Sequence, residues 1–160
     1  MKKKVTKKMY DEVIEAYYKW KDLSDLMKKN GARGINIPEG ITEPICCYYN
    51  NFLWSKDEGS EDAISEDGKK IQIKATSNYN IDLTSFGPRS EFDELHFVRL
   101  NQEKNKIELY NIPIIDLLKT KVNSTETFED QQKAGKRPRL SIINSFINVY
   151  LLKPYKIIQI

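Results

Sequence analysis

Glu61 to Ala75 reads EDAISEDGKKIQIKA, and the fold turns on how this stretch folds back on itself. Ile71, Ile73 and Ala75 alternate with Gln72 and Lys74, the period-two pattern of a half-buried strand, and Asp62-Ala63-Ile64-Ser65 forms a shorter partner. Glu66-Asp67-Gly68 lies between them as a turn. Slipping a strand pair by one residue sends every side chain to the opposite face, so the loop length decides which polar groups meet. A two-residue Asp67-Gly68 loop separates Asp62 from Gln72 and Lys74. A three-residue Glu66-Asp67-Gly68 loop, with Gly68 in the left-handed conformation of a bulge, pairs Ser65 with Lys69 and Asp62 with Gln72. The odd-length loop is expected, because it gathers Asp62, Gln72 and Lys74 on one face.

Those three residues are suited to phosphodiester hydrolysis. The Asp62 carboxylate, the Gln72 side-chain oxygen and the Ile73 backbone carbonyl are oxygen ligands of the kind that hold Mg2+, and Lys74 is a compact cation that can orient water or offset phosphate charge. The competing reading is an ordinary solvated ion pair across a surface hairpin.

Further motifs extend the pattern: Arg33-Gly34-Ile35-Asn36-Ile37-Pro38-Glu39, Thr42-Glu43-Pro44, Ile73-Lys74-Ala75-Thr76-Ser77 and Asp82-Leu83-Thr84-Ser85-Phe86-Gly87-Pro88. Asp62 followed by Gln72-Ile73-Lys74 resembles the PD-(D/E)XK nuclease motif. The ordered set, from about Tyr10 to Lys136-Arg137-Pro138-Arg139, is similar to the small type II restriction endonucleases that recognise GCNGC. The resemblance implies a restriction-endonuclease-like α/β fold, a central mixed β-sheet flanked by helices, and Mg2+-dependent cleavage of double-stranded DNA. It also implies that Glu43 points at the hairpin site, giving Glu43, Asp62, Gln72 and Lys74 as the catalytic set, with Asp62, Gln72, Ile73 and Glu43 toward the metal. Two departures stand out: Gln72 occupies the position of a usual acidic ligand, and no proline precedes Asp62. A structure-specific or repair nuclease of the same fold and a non-catalytic DNA-binding protein are the alternatives.

At 160 residues the chain is expected to form a single nuclease domain, residues 1–160, with a core that needs no disulfide. Apolar residues make up 39% and charged residues 31%, and no apolar run approaches the ~20 residues of a membrane span. Met1-Lys2-Lys3-Lys4 is followed by charge-rich helical sequence with no apolar secretory core, so a cytoplasmic location is expected. Cys46 and Cys47 are adjacent and read as small core residues, and the lone His96 lies in the apolar run Leu95-His96-Phe97-Val98, where a structural role is expected.

Met9, Val13, Ile14, Tyr17, Trp20, Leu23, Leu26 and Met27 recur at helical spacing, giving an amphipathic helix from about Thr6 to Lys29 that Asn30-Gly31 ends. A second helix starts between Pro38 and Thr42 and runs to about Trp54, with Pro44 confined to its first turn. A short helix is expected over 88–93, strands over 94–100 and 106–111, helices over 114–121, from Ser124 and over 141–152, and a closing strand over 155–160.

A net charge of +3 permits nucleic-acid binding without requiring it. Arg33 and Asn36 in the loop before the second helix, and Ser77, Asn78, Ser85 and Arg89 after Lys74, are candidate DNA contacts. Lys133, Lys136, Arg137 and Arg139 form the densest basic cluster; Arg137 and Arg139 suit either guanine edges or phosphates. A target that reads alike on both strands favours a twofold homodimer.

Overall fold

The structure, a computed structural model, describes residues 2–56 and 59–160. In chain order its elements are strand β1 (Lys2–Lys4), helices α1 (Lys7–Lys29) and α2 (Glu39–Asn50), and strands β2 (Leu53–Ser55), β3 (Ala63–Ile64), β4 (Lys70–Thr76), β5 (Thr84–Ser85), β6 (Glu94–Asn101) and β7 (Lys106–Ile112). Helices α3 (Ile114–Lys119) and α4 (Phe128–Lys133), strand β8 (Arg139–Leu140), a π-helical turn (Ile143–Ile147) continuing into helix α5 (Asn148–Tyr150), and strand β9 (Lys156–Gln159) complete it. Seven strands form a sheet in the order β1-β2-β3-β4-β6-β7-β9, while β5 and β8 form a separate two-stranded ribbon. Only β4 and β6 run parallel among these pairings, so the sheet is mixed.

Alternation along the central strands builds one core on each face of the sheet. Ile71, Ile73, Val98, Leu100, Ile107 and Leu109 face α1 and α2, where Tyr17, Trp20, Ile41, Ile45, Cys46 and Cys47 complete a cluster. Leu95, Phe97, Tyr110 and Ile112 point the other way, toward Phe86, Leu117, Phe128, Leu140 and Phe146. Gln72 and Lys74, out of phase with Ile71 and Ile73, therefore belong to this second face.

Helix α1 begins where expected: the Thr6 hydroxyl accepts from the Met9 N–H at 3.2 Å, and Gly31 takes φ +85° beyond its end. Its buried stripe is Tyr17, Trp20 and Ser24, whereas Leu23 and Leu26 remain more than half exposed. Tyr17 Oη donates to Asn105 Oδ1 at 2.8 Å, tying the helix to the β6–β7 turn. Trp20 Nε1 donates to the Ile35 carbonyl at 3.0 Å and Ser24 Oγ accepts from the Ile35 N–H at 3.1 Å, which straps the Arg33–Asn36 loop to α1. A side chain at Gly34 would lie 2.7 Å from that Ser24 oxygen, so glycine permits the close approach.

Several local expectations are corrected. Helix α2 starts at Glu39, so Pro44 lies inside it instead of in its first turn, and removes a donor that Gly40, four residues back, would have accepted from. The helix stops at Asn50, with Asn51 left-handed at φ 56°, and Trp54 belongs to β2. No helix forms over 88–93, because Gln132 Nε2 donates to the carbonyls of Gly87 and Ser90 and holds that segment as a loop. Helix α4 begins at Phe128, capped by Thr127 and Asp130, and not at Ser124.

The last helical segment is anchored from a distance. Buried Asp82 accepts from Thr84 Oγ1, Ser141 Oγ and the N–H groups of Ile142 and Ile143 at 2.7–3.0 Å, capping that segment while fixing the chain ahead of β5. Replacing Asp82 with Ala strands two backbone donors and two hydroxyls, and should lower stability by roughly 2–4 kcal/mol, with Asp82→Asn costing less. Urea unfolding of both variants measures this, and equal midpoints for wild type and Asp82→Ala would refute it.

Candidate active site

The hairpin has the odd-length loop. Ala63 pairs with Ile71 and Ile64 with Lys70, so Ser65 falls opposite Lys69. The Asp62 N–H donates to the Ile71 carbonyl at 2.9 Å, so Asp62 shares Ile71 with Ala63 as a bulge, and it meets Gln72 through side chains instead of by the expected backbone pairing. Gly68 adopts φ +83°, its N–H donates to the Ser65 carbonyl at 3.0 Å, and the Ser65 N–H donates to the Lys69 carbonyl at 3.0 Å. Beyond Ile71 the ladder opens. The Ile73 N–H, which would otherwise continue it, donates to Asp62 Oδ2 at 2.7 Å, and Gln72 Nε2 donates to the same oxygen at 2.5 Å. Ile73 was expected to offer its carbonyl; the hydrogen bond observed uses its N–H. Since both groups of a strand residue point to the same side, that carbonyl also faces the opening.

Helix α2 closes the opening. Glu43 lies beside it, with Oε2 accepting from Trp54 Nε1 at 2.7 Å. Glu39, Thr42, Glu43, Asp62, Gln72, Ile73 and Lys74 are among the residues lining one cavity of about 230 Å³. All four candidate catalytic residues are thus brought together. Glu39, four residues before Glu43 and so on the same helical face, is a cavity residue the candidate set omitted. Trp54, outside the cavity lining but bonded to Glu43, is a supporting residue that nothing local in the sequence links to it.

Three oxygens here are left without protein partners among the described residues. Asp62 uses only Oδ2 and Glu43 only Oε2, while the Gln72 Oε1 atom is buried and accepts no hydrogen bond. A buried carbonyl oxygen without a donor is costly unless something else satisfies it. The electrostatics agree. Burial, then the Asp62 charge, pushes the Glu43 carboxyl up to about 7. Burial likewise raises Asp62 to about 6, against the lowering effects of the Ile73 N–H and Lys74. No three Asp, Glu, His or Cys side chains among the described residues form a chelating group by themselves. The donor set is two carboxylates and an amide oxygen, which fits a hard divalent cation.

Lys74 stands between two cavities. Its ammonium lies 5.3 Å from the Phe86 ring centroid, and with Ile37 and Ala75 it also borders a groove of about 460 Å³ that Asn36, Ser77, Asn78 and Ser85 line. Four candidate DNA contacts therefore adjoin the acidic cavity. Arg139 joins them through the ribbon, where it pairs with Ser85. Arg33, Arg89 and Arg137 are exposed and line none of these walls. Lys133 and Lys136 are turned to other work, ion-paired with Glu129 at 3.2 Å and Glu126 at 3.0 Å. His96 is structural as expected: buried, with Nδ1 2.7 Å from Tyr155 Oη and Nε2 2.9 Å from Glu94, and held by burial below its ordinary pKa.

Comparison with known proteins places the chain. It matches the family described as Bsp6I restriction endonuclease over residues 5–149. It is 39% identical over 153 residues to the type II restriction enzyme Bsp6I of Bacillus sp. (strain RFL6), covering 94% of this chain and 88% of that relative.

The raised Glu43 pKa has a stability consequence. The folded chain binds this proton more tightly than the unfolded chain, so the contribution is fully present below the ordinary carboxyl pKa and is lost as pH rises toward about 7. Glu43→Gln keeps an acceptor for Trp54 and removes the charge. In EDTA it should stabilise the protein at pH 8 by about 1–3 kcal/mol and have little effect at pH 4.5. Thermal melts at the two pH values test this, and a pH-independent difference would contradict it.

Proposed function

The chain belongs to the Bsp6I restriction endonuclease family and is thereby a type II restriction endonuclease, and from that premise we propose how and where it cuts. Its substrate is double-stranded DNA containing GCNGC, its cofactor is Mg2+, and its active form is a homodimer of single-domain protomers acting in the cytoplasm, one site per strand. The observation that carries the chemical part is one cavity lined by Asp62, Glu43, Gln72 and Lys74, in which three of the lining residues keep an oxygen, Asp62 Oδ1, Glu43 Oε1 and buried Gln72 Oε1, without a partner among the described residues.

Asp62, Glu43 and Gln72 would hold the ion, with the Ile73 carbonyl at the same opening. When bound, a divalent cation supplies Lewis-acid polarisation of the scissile phosphate and compensates the charge of two desolvated carboxylates. The protein's own groups do the rest. Gln72 Nε2 and the Ile73 N–H fix Asp62, and Trp54 fixes Glu43, so the carboxylates are oriented before substrate arrives. Lys74, held over Phe86, reaches a phosphate lying in the polar groove and orients the attacking water. Water oxygen bonds to phosphorus as the opposite P–O bond breaks, leaving phosphate on one end and hydroxyl on the other. Asn36, Ser77, Asn78 and Ser85 are placed to grip the backbone, with Arg139 beside them for a base edge or a phosphate.

Gln72 replaces a charged ligand, and burial of a third carboxylate beside Asp62 and Glu43 would add to a repulsion that already raises Glu43. Glu39, which lines the same cavity, supplies negative charge from further out.

Purified protein incubated with a sequenced plasmid in Mg2+ should give discrete fragments whose ends map within GCNGC, and none in EDTA. Lys74→Ala should cut at least about 100-fold more slowly while still retarding the same duplex in a gel shift. Fragments ending at unrelated sequences would remove the proposed specificity, and undiminished cutting by Lys74→Ala would remove its role.

A further inference from the structure

The segment entering β5 has an alternation that the fold alone does not require. Asp82, Thr84 and Phe86 are buried, whereas Ile81 and Leu83 are 67% and 64% exposed. Single exposed aliphatics are common on protein surfaces. These two alternate with buried Asp82 and Thr84 in the segment leading into β5, and both line the groove that contains Lys74, Asn36, Ser77, Asn78 and Ser85.

The backbone beneath them is fixed on both sides. Thr76 Oγ1, two residues beyond Lys74, donates to the Ile81 carbonyl at 3.2 Å. Asp82 accepts three hydrogen bonds that cap the last helical segment and a fourth from Thr84 Oγ1. Further on, Thr84 pairs with Leu140, Ser85 with Arg139, and the Phe86 N–H donates to the Pro138 carbonyl at 2.9 Å. Two aliphatic side chains are thereby presented on a braced ribbon in a wall that is otherwise mostly polar and carries a cation.

A ligand that suits such a wall has charged and polar edges and an apolar face, which describes a nucleotide: phosphate for Lys74, base edges for the amides and hydroxyls, and an aromatic face for the aliphatics. An apolar wedge on a rigid support can enter a base step and unstack it. We propose that Ile81 and Leu83 form such a wedge, inserting into the DNA held at Lys74 and unstacking the central base pair of the site. This rests on the nuclease reading above. It also accounts for a central position that is not read, since a pair displaced by an apolar edge makes no base-specific hydrogen bonds with it.

The test uses a duplex with one GCNGC site and 2-aminopurine at its centre, whose fluorescence rises on unstacking. Ca2+ replaces Mg2+ so that the duplex stays uncut. Wild type should brighten it several-fold. The Ile81→Ala/Leu83→Ala variant should leave it near the level of free duplex, with an unchanged melting temperature because both side chains are exposed. Ile81→Met/Leu83→Met should restore most of the signal. Brightening by the double-alanine variant equal to wild type overturns the proposal, as does a wild-type complex that retards and, in Mg2+, cuts the duplex without brightening it. If wild type neither retards nor cuts this duplex, the GCNGC nuclease reading fails and the wedge falls with it.

Discussion

The register of one short hairpin governs everything else in this molecule. Gly68 in the left-handed region makes a three-residue turn, and the register it sets brings the Asp62 carboxylate to the Gln72 amide and the Ile73 N–H. One residue fewer would turn Asp62 to the other face, and the Ile73 N–H would lose the carboxylate that ends the ladder. Because the ladder stops there, the sheet opens beside β4, and the opening is what α2 covers with Glu43. Local backbone geometry therefore creates a site that is partly desolvated on every side, and desolvation is the leading cause of the raised carboxyl pKa values.

The two faces of β4 divide the labour. Ile71 and Ile73 join the α1–α2 core and hold the strand in place, while Gln72 and Lys74 project to the face shared with Phe86. Lys74 is thereby positioned by packing, with an aromatic ring beneath it, between an acidic cavity and a polar groove. The same architecture brings the distant C-terminal ribbon strand alongside: Asp82 spans from the loop after β4 to the start of the last helical segment, and Arg139 arrives next to Ser85 as a result. Ser85 and Arg139, over fifty positions apart in sequence, become neighbours beside one buried carboxylate.

Much of this was legible in the sequence where periodicity is long or turn chemistry specific. Helix α1, strands β4, β6 and β7 and the odd hairpin loop follow from spacing and from Gly68. The unreadable parts depend on tertiary partners. Lys2–Lys4 reads as a basic tail and becomes a strand only by pairing with Leu53–Ser55, itself too short to signal alone. Pro44 looked like a first-turn residue, yet α2 begins at Glu39, within the expected range but five residues ahead of it, with no side-chain cap. Trp54 and Glu39 were not foreseen, the first because its hydrogen bond to Glu43 crosses from strand to helix, the second, which lines the cavity, although its four-residue spacing from Glu43 pointed there. The loop over 88–93 is held by Gln132, a contact no local rule contains.

The proposed chemistry requires that Asp62, Glu43 and Gln72 close around one divalent ion. Fe2+ with ascorbate, which generates hydroxyl radicals at a bound metal and cuts nearby backbone, probes that directly without reference to DNA cleavage. Cuts should be confined to the neighbourhoods of Glu43, Asp62 and Gln72–Lys74, suppressed by excess Mg2+ and absent in Asp62→Asn. Cuts elsewhere in the chain, or an Asp62→Asn pattern identical to wild type, would contradict it.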